Sequence, residues 1–110
     1  MKDDTLFLIH IRECIARVEN YVQSGREEFL ARTLIQDAVL RNLQVLAEST
    51  QRLSDNLKAR HPDIDWRRIA GFRNILVHDY LGVDVERVWD IVLTDLPDLK
   101  QAVEGMLGSE

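Results

Sequence analysis

Residues 4–23 read DTLFLIHIRECIARVENYVQ, and this stretch decides the fold class. Leu8, Ile11, Ile15, Val18 and Val22 recur at alternating intervals of three and four residues, the period of one face of an α-helix. A half-buried strand would alternate apolar and polar positions instead. Asp3, Asp4 and Thr5 offer oxygens to the first unsatisfied amides, and Gly25 suits the position just past the last turn. A first helix is therefore predicted from Asp4 to Gln23. Phe7, Cys14 and Tyr21 lie beside the stripe at seven-residue spacing and widen it. So wide a face is expected to pack partly against a second subunit.

The same periodicity continues outward. Only two prolines and five glycines punctuate 110 residues, and no β-branched alternating run occurs, so the chain is predicted to be all-α. A second helix is predicted over Glu27–Ala59, with Ile35, Val39, Leu43, Leu46, Leu53 and Leu57 as its stripe and Thr50 filling the gap. Ser24-Gly25-Arg26-Glu27 resembles a capping box, with Ser24 three residues before Glu27. At about 1.5 Å per residue that helix would approach about 50 Å, more than a chain of this size needs, so a kink or a projecting end is expected. His61-Pro62 breaks the chain, because the residue before proline is driven out of the α region. Asp63 is placed to cap a third helix carrying Trp66, Ile69, Ala70, Phe72, Leu76 and Val77 and ending near Gly82. Asp84 caps a fourth with Val85, Val88, Trp89 and Val92, and Asp95-Leu96-Pro97 kinks it or begins a fifth. The architecture expected is an antiparallel bundle of four to five helices forming one domain over residues 1–110.

Composition narrows the function classes. A formal net charge of −5 argues against a protein that coats nucleic acid by bulk attraction, while leaving room for a local phosphate site. No apolar run is long enough for a membrane span. The opening MKDDTLFLIHIREC carries acids where a signal peptide is basic. The single cysteine, Cys14, cannot form an internal disulfide and fits a small buried helix position. A cytoplasmic location is expected. His10, His61 and His78 form neither HxxxH nor HExxH, and there is no Cys/His cluster and no glycine-rich phosphate loop, so neither metal nor cofactor is expected.

Chemistry concentrates in Gly71–Asp84, GFRNILVHDYLGVD, where Arg73, Asn74, His78 and Tyr80 fall within eight residues. Metal-independent RNA cleavage needs a proton taken from a ribose 2′-hydroxyl, charge stabilised on the phosphorane, and a proton for the leaving 5′-oxygen. Histidine titrates near the working pH, and the arginine fork donates two parallel hydrogen bonds to phosphate. On an ideal helix, however, Arg73 and His78 lie about 140° apart. Either the arginine wraps round, or His78 sits where the helix is ending, or two copies of the motif complete one cleft across a dimer axis. The bland alternatives are a capping or core histidine, an Arg73 paired with Asp79 or Glu86, and a Tyr80 that only packs. Upstream, Asp37, Arg41 and Glu48 lie within about 40° of one another on the second helix. They read either as a solvated ion-pair face or as polar lining of a site.

The segment RNILVHDY, Arg73–Tyr80, resembles the Arg-x4-His-x-Tyr signature of the HepT-like toxins of the HEPN superfamily, the group called DUF86. DAVLRNLQVLAES (37–49), HPDIDWRRIAGFRN (61–74) and VDVERVWDIVLTDLPDL (83–99) resemble the family's neighbouring segments. The resemblance implies an all-helical homodimer that is a metal-independent endoribonuclease acting on tRNA or mRNA, the toxin of a type VII-like toxin–antitoxin pair. Arg73 and His78 would be catalytic, Asn74 their polar neighbour, and Asp37, Arg41 and Glu48 supports of the cleft. The implied partner is a minimal nucleotidyltransferase antitoxin that silences the toxin by AMPylation of Tyr80. Two alternatives stand beside this: a non-catalytic nucleotide-binding or regulatory subunit of a nucleotidyltransferase complex, and a purely structural helical dimer with Arg73 and His78 buried and paired.

Overall fold

The structure, a computed structural model, describes residues 3–77 and 84–108, which contain helices and no strand. Helix α1 (Asp4–Tyr21) opens on Asp3, whose carboxylate accepts from the Leu6 amide at 3.2 Å. It ends two residues before the expected Gln23. Its stripe of Leu8, Ile11, Cys14, Ile15 and Val18 is buried. The breadth of that face is used within the chain, because α1 packs on both α3 (Thr33–Gln51) and α8 (Leu96–Gly108).

The predicted second helix is three helices: α2 (Arg26–Ala31), α3, and α4 (Asp55–Ala59). The α2–α3 break sits at Arg32, whose backbone is extended at φ −118, ψ 109. Gln36 makes the break tolerable. Its amide nitrogen donates to the Phe29 and Leu30 carbonyls at 3.0 and 3.1 Å, satisfying acceptors that the end of α2 leaves open. Ser24 does not form the expected capping box; α2 begins after Gly25, at φ 96, with no side-chain cap.

The α3–α4 break is held from outside the helix. Ser54 caps α4 by accepting from the Leu57 amide at 3.1 Å. The Asp4 carboxylate takes both the Ser54 amide (2.8 Å) and hydroxyl (2.6 Å). This contact joins the start of α1 to the residues just beyond α3, so the two helices run antiparallel. At the other end of α1, Glu19 accepts from Lys100 Nζ at 3.0 and 3.2 Å, bringing the start of α8 there. With the long helix divided, the longest dimension of the molecule is 42 Å.

The third predicted helix is also divided, into α5 (Trp66–Ala70) and α6 (Phe72–Val77), both packed on α3. Its cap is Asp65 rather than Asp63, accepting from the Arg68 amide at 3.0 Å. At the corner between them, a Cβ on Gly71 would stand 3.2 Å from the Arg68 carbonyl oxygen. Helix α7 (Val85–Asp90) starts at the expected Asp84 cap, which accepts from the Arg87 amide. At Asp95-Leu96-Pro97 a further α-helical piece, α8, begins at Leu96 with Pro97 in its first turn, one of the two outcomes expected there. A π-helical turn over Ile91–Asp95 joins α7 to α8 without a non-helical residue, with the Leu96 amide bonding to the Ile91 carbonyl. That wider turn falls just before Pro97, whose ring and missing N–H disfavour an ordinary α turn.

Phe29 on α2 is fully buried and meets Trp89 of α7 with ring centroids 5.3 Å apart. Arg26 and Glu86 pair at 3.2 Å across the same contact. Phe29→Ala should lower the unfolding free energy by about 3–5 kcal/mol, the usual cost of emptying an aromatic core site, measured by urea titration. Burial pushes the Cys14 thiol up. Its alkylation by iodoacetamide at neutral pH should therefore be slow in the folded protein and fast in denaturant. Stability contributed at Cys14 is intact below the unfolded thiol's pKa, about 8.5, and declines as pH rises through the folded value.

Candidate functional site

Arg73 and Asn74 occupy the first turn of α6 and are both exposed. The Asn74 amide bonds back to the Gly71 carbonyl at 3.0 Å, so the α5–α6 corner fixes where the motif begins. Among the described residues Arg73 has no ion pair, and Glu86, one alternative partner, is taken by Arg26. A structural role needs a buried, paired arginine; this one is exposed and has no ion pair among the described residues. His78 and Tyr80, like Asp79, lie outside the described residues. Their flanks are anchored: α6 packs on α3, and α7 on α2.

Asp37 and Arg41 are exposed on α3, and Glu48 is half-buried. The ion-pair face considered for Asp37 and Arg41 does not form among the described residues. No hydrogen bond there joins Arg73 or Asn74 to any of the three. The shared packing of α3 and α6 places them on adjoining elements, and no closer association is seen. The same side of α3 presents Leu34, 76% exposed, one turn before Asp37.

Sequence patterns missed a second group. Arg67, Arg68 and Arg87 line one cleft of about 310 Å³ with Gly71 and Phe72, at the base of the motif helix. Arg68 is bound on one side: its Nε donates to the Asp95 carboxylate at 2.7 Å, and that bond holds its guanidinium more firmly protonated than usual. The π turn sets Asp95 in place for this bond. The available signal was the pair Arg67-Arg68 ahead of Gly71, but Arg87 is twenty residues away in sequence and joins only through the fold. Among the described residues no group of three or more His, Cys, Asp or Glu side chains is arranged to hold a metal ion. No helix there is long and apolar enough to cross a membrane.

This arrangement is the all-α HEPN fold. It aligns with a HEPN toxin from Shewanella oneidensis, described as tri-AMPylated and in complex with an MNT antitoxin, at a TM-score of 0.72 and 24% identity over 100% of both chains. Residues 11–106 match the family described as Ribonuclease HepT-like. A Thermococcus cleftensis protein described as a probable ribonuclease HepT is 36% identical over 99 residues, 89% of this chain and 90% of that one. The chain belongs to the Ribonuclease HepT-like family. A Methanocaldococcus jannaschii protein whose name reads "Gamma-glutamylcyclotransferase and putative RNase" is 33% identical over 103 residues; this chain spans 46% of its length.

Arg73 is exposed and has no ion pair among the described residues, so little of the fold is expected to rest on it. Arg73→Ala should leave stability within about 0.5 kcal/mol of the parent, read by thermal unfolding. A loss well above that would show a structural role instead.

Proposed function

We propose that this chain is the ribonuclease toxin of a toxin–antitoxin pair, cutting RNA without a metal through Arg73 and His78 in a cleft shared by two copies. The observation that carries this is Arg73. It stands exposed and unpaired among the described residues, on the first turn of a short helix, in a chain of the Ribonuclease HepT-like family. His78 removes the 2′-hydroxyl proton as that oxygen attacks the adjacent phosphorus. The bond to the 5′-oxygen breaks, leaving a 2′,3′-cyclic phosphate and a 5′-hydroxyl that takes up a proton. Arg73 balances the charge that builds on the phosphorane, and Asn74 orients one of the two partners. Asp37, Arg41 and Glu48 support the cleft from α3.

The dimer is supported by two features. Arg73 and His78 would point about 140° apart on a regular helix, so one copy is poorly placed to bring both to one phosphate. The side of α3 bearing Leu34, Asp37 and Arg41 is left uncovered by the rest of the described chain. A minimal nucleotidyltransferase is the proposed antitoxin, as the S. oneidensis neighbour is described in complex with an MNT antitoxin. It would transfer AMP from ATP to the Tyr80 hydroxyl with release of pyrophosphate. The modification puts bulk and negative charge beside the histidine, where an RNA phosphate would be repelled.

Expression without the antitoxin should arrest growth, and both Arg73→Ala and His78→Ala should relieve the arrest. For purified protein in EDTA, His78→Ala should slow RNA cleavage by about 10²–10⁴-fold. Full toxicity in either folded variant would refute the assignment. Tight binding of the nucleotidyltransferase with no RNA cleavage by the free protein would favour a regulatory subunit. After co-expression, intact mass should rise by whole AMP units in the parent and not in Tyr80→Phe.

A further inference from the structure

We propose that the cleft formed by α5, the Gly71 corner and α7 binds a backbone phosphodiester of the RNA strand beside the one cleaved, held by Arg67 and Arg87. This rests on the ribonuclease reading above. Three arginines and one acid, Asp65, line the cleft. The acid is engaged in capping α5 through the Arg68 amide, and Arg68 itself is bound to Asp95. Arg67 and Arg87 have no ion pair among the described residues and are both exposed. Two guanidinium groups from different helices thus open on one cleft of about 310 Å³, in a chain whose net charge is −5. Such local cations attract an anion that the protein as a whole repels.

The lining also selects the part of the RNA that fits. Phe72 and Ile91 are 3% and 2% exposed, so no aromatic face is presented for a base to stack on. What remains are fork-shaped donors suited to phosphate oxygens, contacts that position a strand without reading its sequence. The place is apt as well. Gly71 and Phe72 line the cleft, and Arg73 follows immediately on α6. Helix α7, which supplies Arg87, follows the segment that carries His78 and Tyr80. The cleft therefore lies at the base of the helix that begins the motif.

The test uses full-length protein and a fluorescent single-stranded RNA. Binding is followed by anisotropy across a salt series, in the His78→Ala background so that no cleavage intervenes. Removing the one phosphate contact that the two arginines share, in Arg67→Gln/Arg87→Gln, should flatten the slope of log affinity against log salt by about 0.7. In the otherwise unaltered enzyme the loss should fall on KM rather than kcat. Arg67→Lys/Arg87→Lys retains charge and should restore most of the slope, which separates a lost contact from a damaged fold. Arg12→Gln/Arg17→Gln removes equal charge from exposed positions on α1 and should keep the parental slope. The proposal is overturned if the Gln pair binds and cleaves like the parent, or if the α1 pair lowers the slope equally. Either result leaves the ribonuclease reading standing. A parent protein that neither binds nor cleaves RNA overturns both.

Discussion

The antiparallel contact of α1 with α3 supports every other element of this molecule. Leu8, Ile11, Ile15 and Val18 on one side, and Val39, Leu43 and Leu46 on the other, are essentially closed to water. Their burial contributes a large favourable share of the hydrophobic stabilisation of the domain. It is also non-directional and would tolerate sliding. The Asp4 carboxylate removes that freedom by taking two hydrogen bonds from Ser54, with a charged acceptor that makes them stronger than neutral ones. Once α1 and α3 are in register, α8 settles on the second side of α1, and α5 and α6 on α3.

The motif is mounted on this frame at two points. Helix α3 holds α6 on the upstream side, and the Phe29–Trp89 contact holds α7 on the downstream side. Short helices of five or six residues are poor at sustaining themselves, because nucleation consumes most of what few hydrogen bonds return. Here each is fastened by a cap or a buried ring: Asp65 for α5, Phe72 for α6, Asp84 and Trp89 for α7. Arg73 is exposed at the start of such a support.

Helical class and stripe positions were legible because a period of 3.6 needs only the local order of apolar residues. The N-caps at Asp3 and Asp84 were legible for the same reason. The breaks were not. Residues 26–59 contain no proline or glycine, and nothing local marks Arg32 or Ser54 as interruptions. They are stabilised by Gln36 reaching back to two carbonyls and by Asp4 arriving from fifty residues away. Asp63 and Asp65 are equally good caps by composition, and only the tertiary setting favours the latter. At the site, Arg73 and Asn74 stood out through neighbours of unlike chemistry, and family likeness gave them roles. Arg87 joined Arg67 only by folding, so its place in a shared cleft had no trace along the chain.

The π turn at Ile91–Asp95 bears on how this chain is compared with its relatives. A turn that closes on the fifth residue holds one residue more than an α turn, and absorbs about 100° of phase without ending the helix. The faces of α7 and α8 are thus set by different counts, although no non-helical residue separates the two. A relative lacking that extra residue would keep both faces and pair with this chain through a one-residue gap. Heptad positions counted from Val85 would then mislabel everything after Asp95.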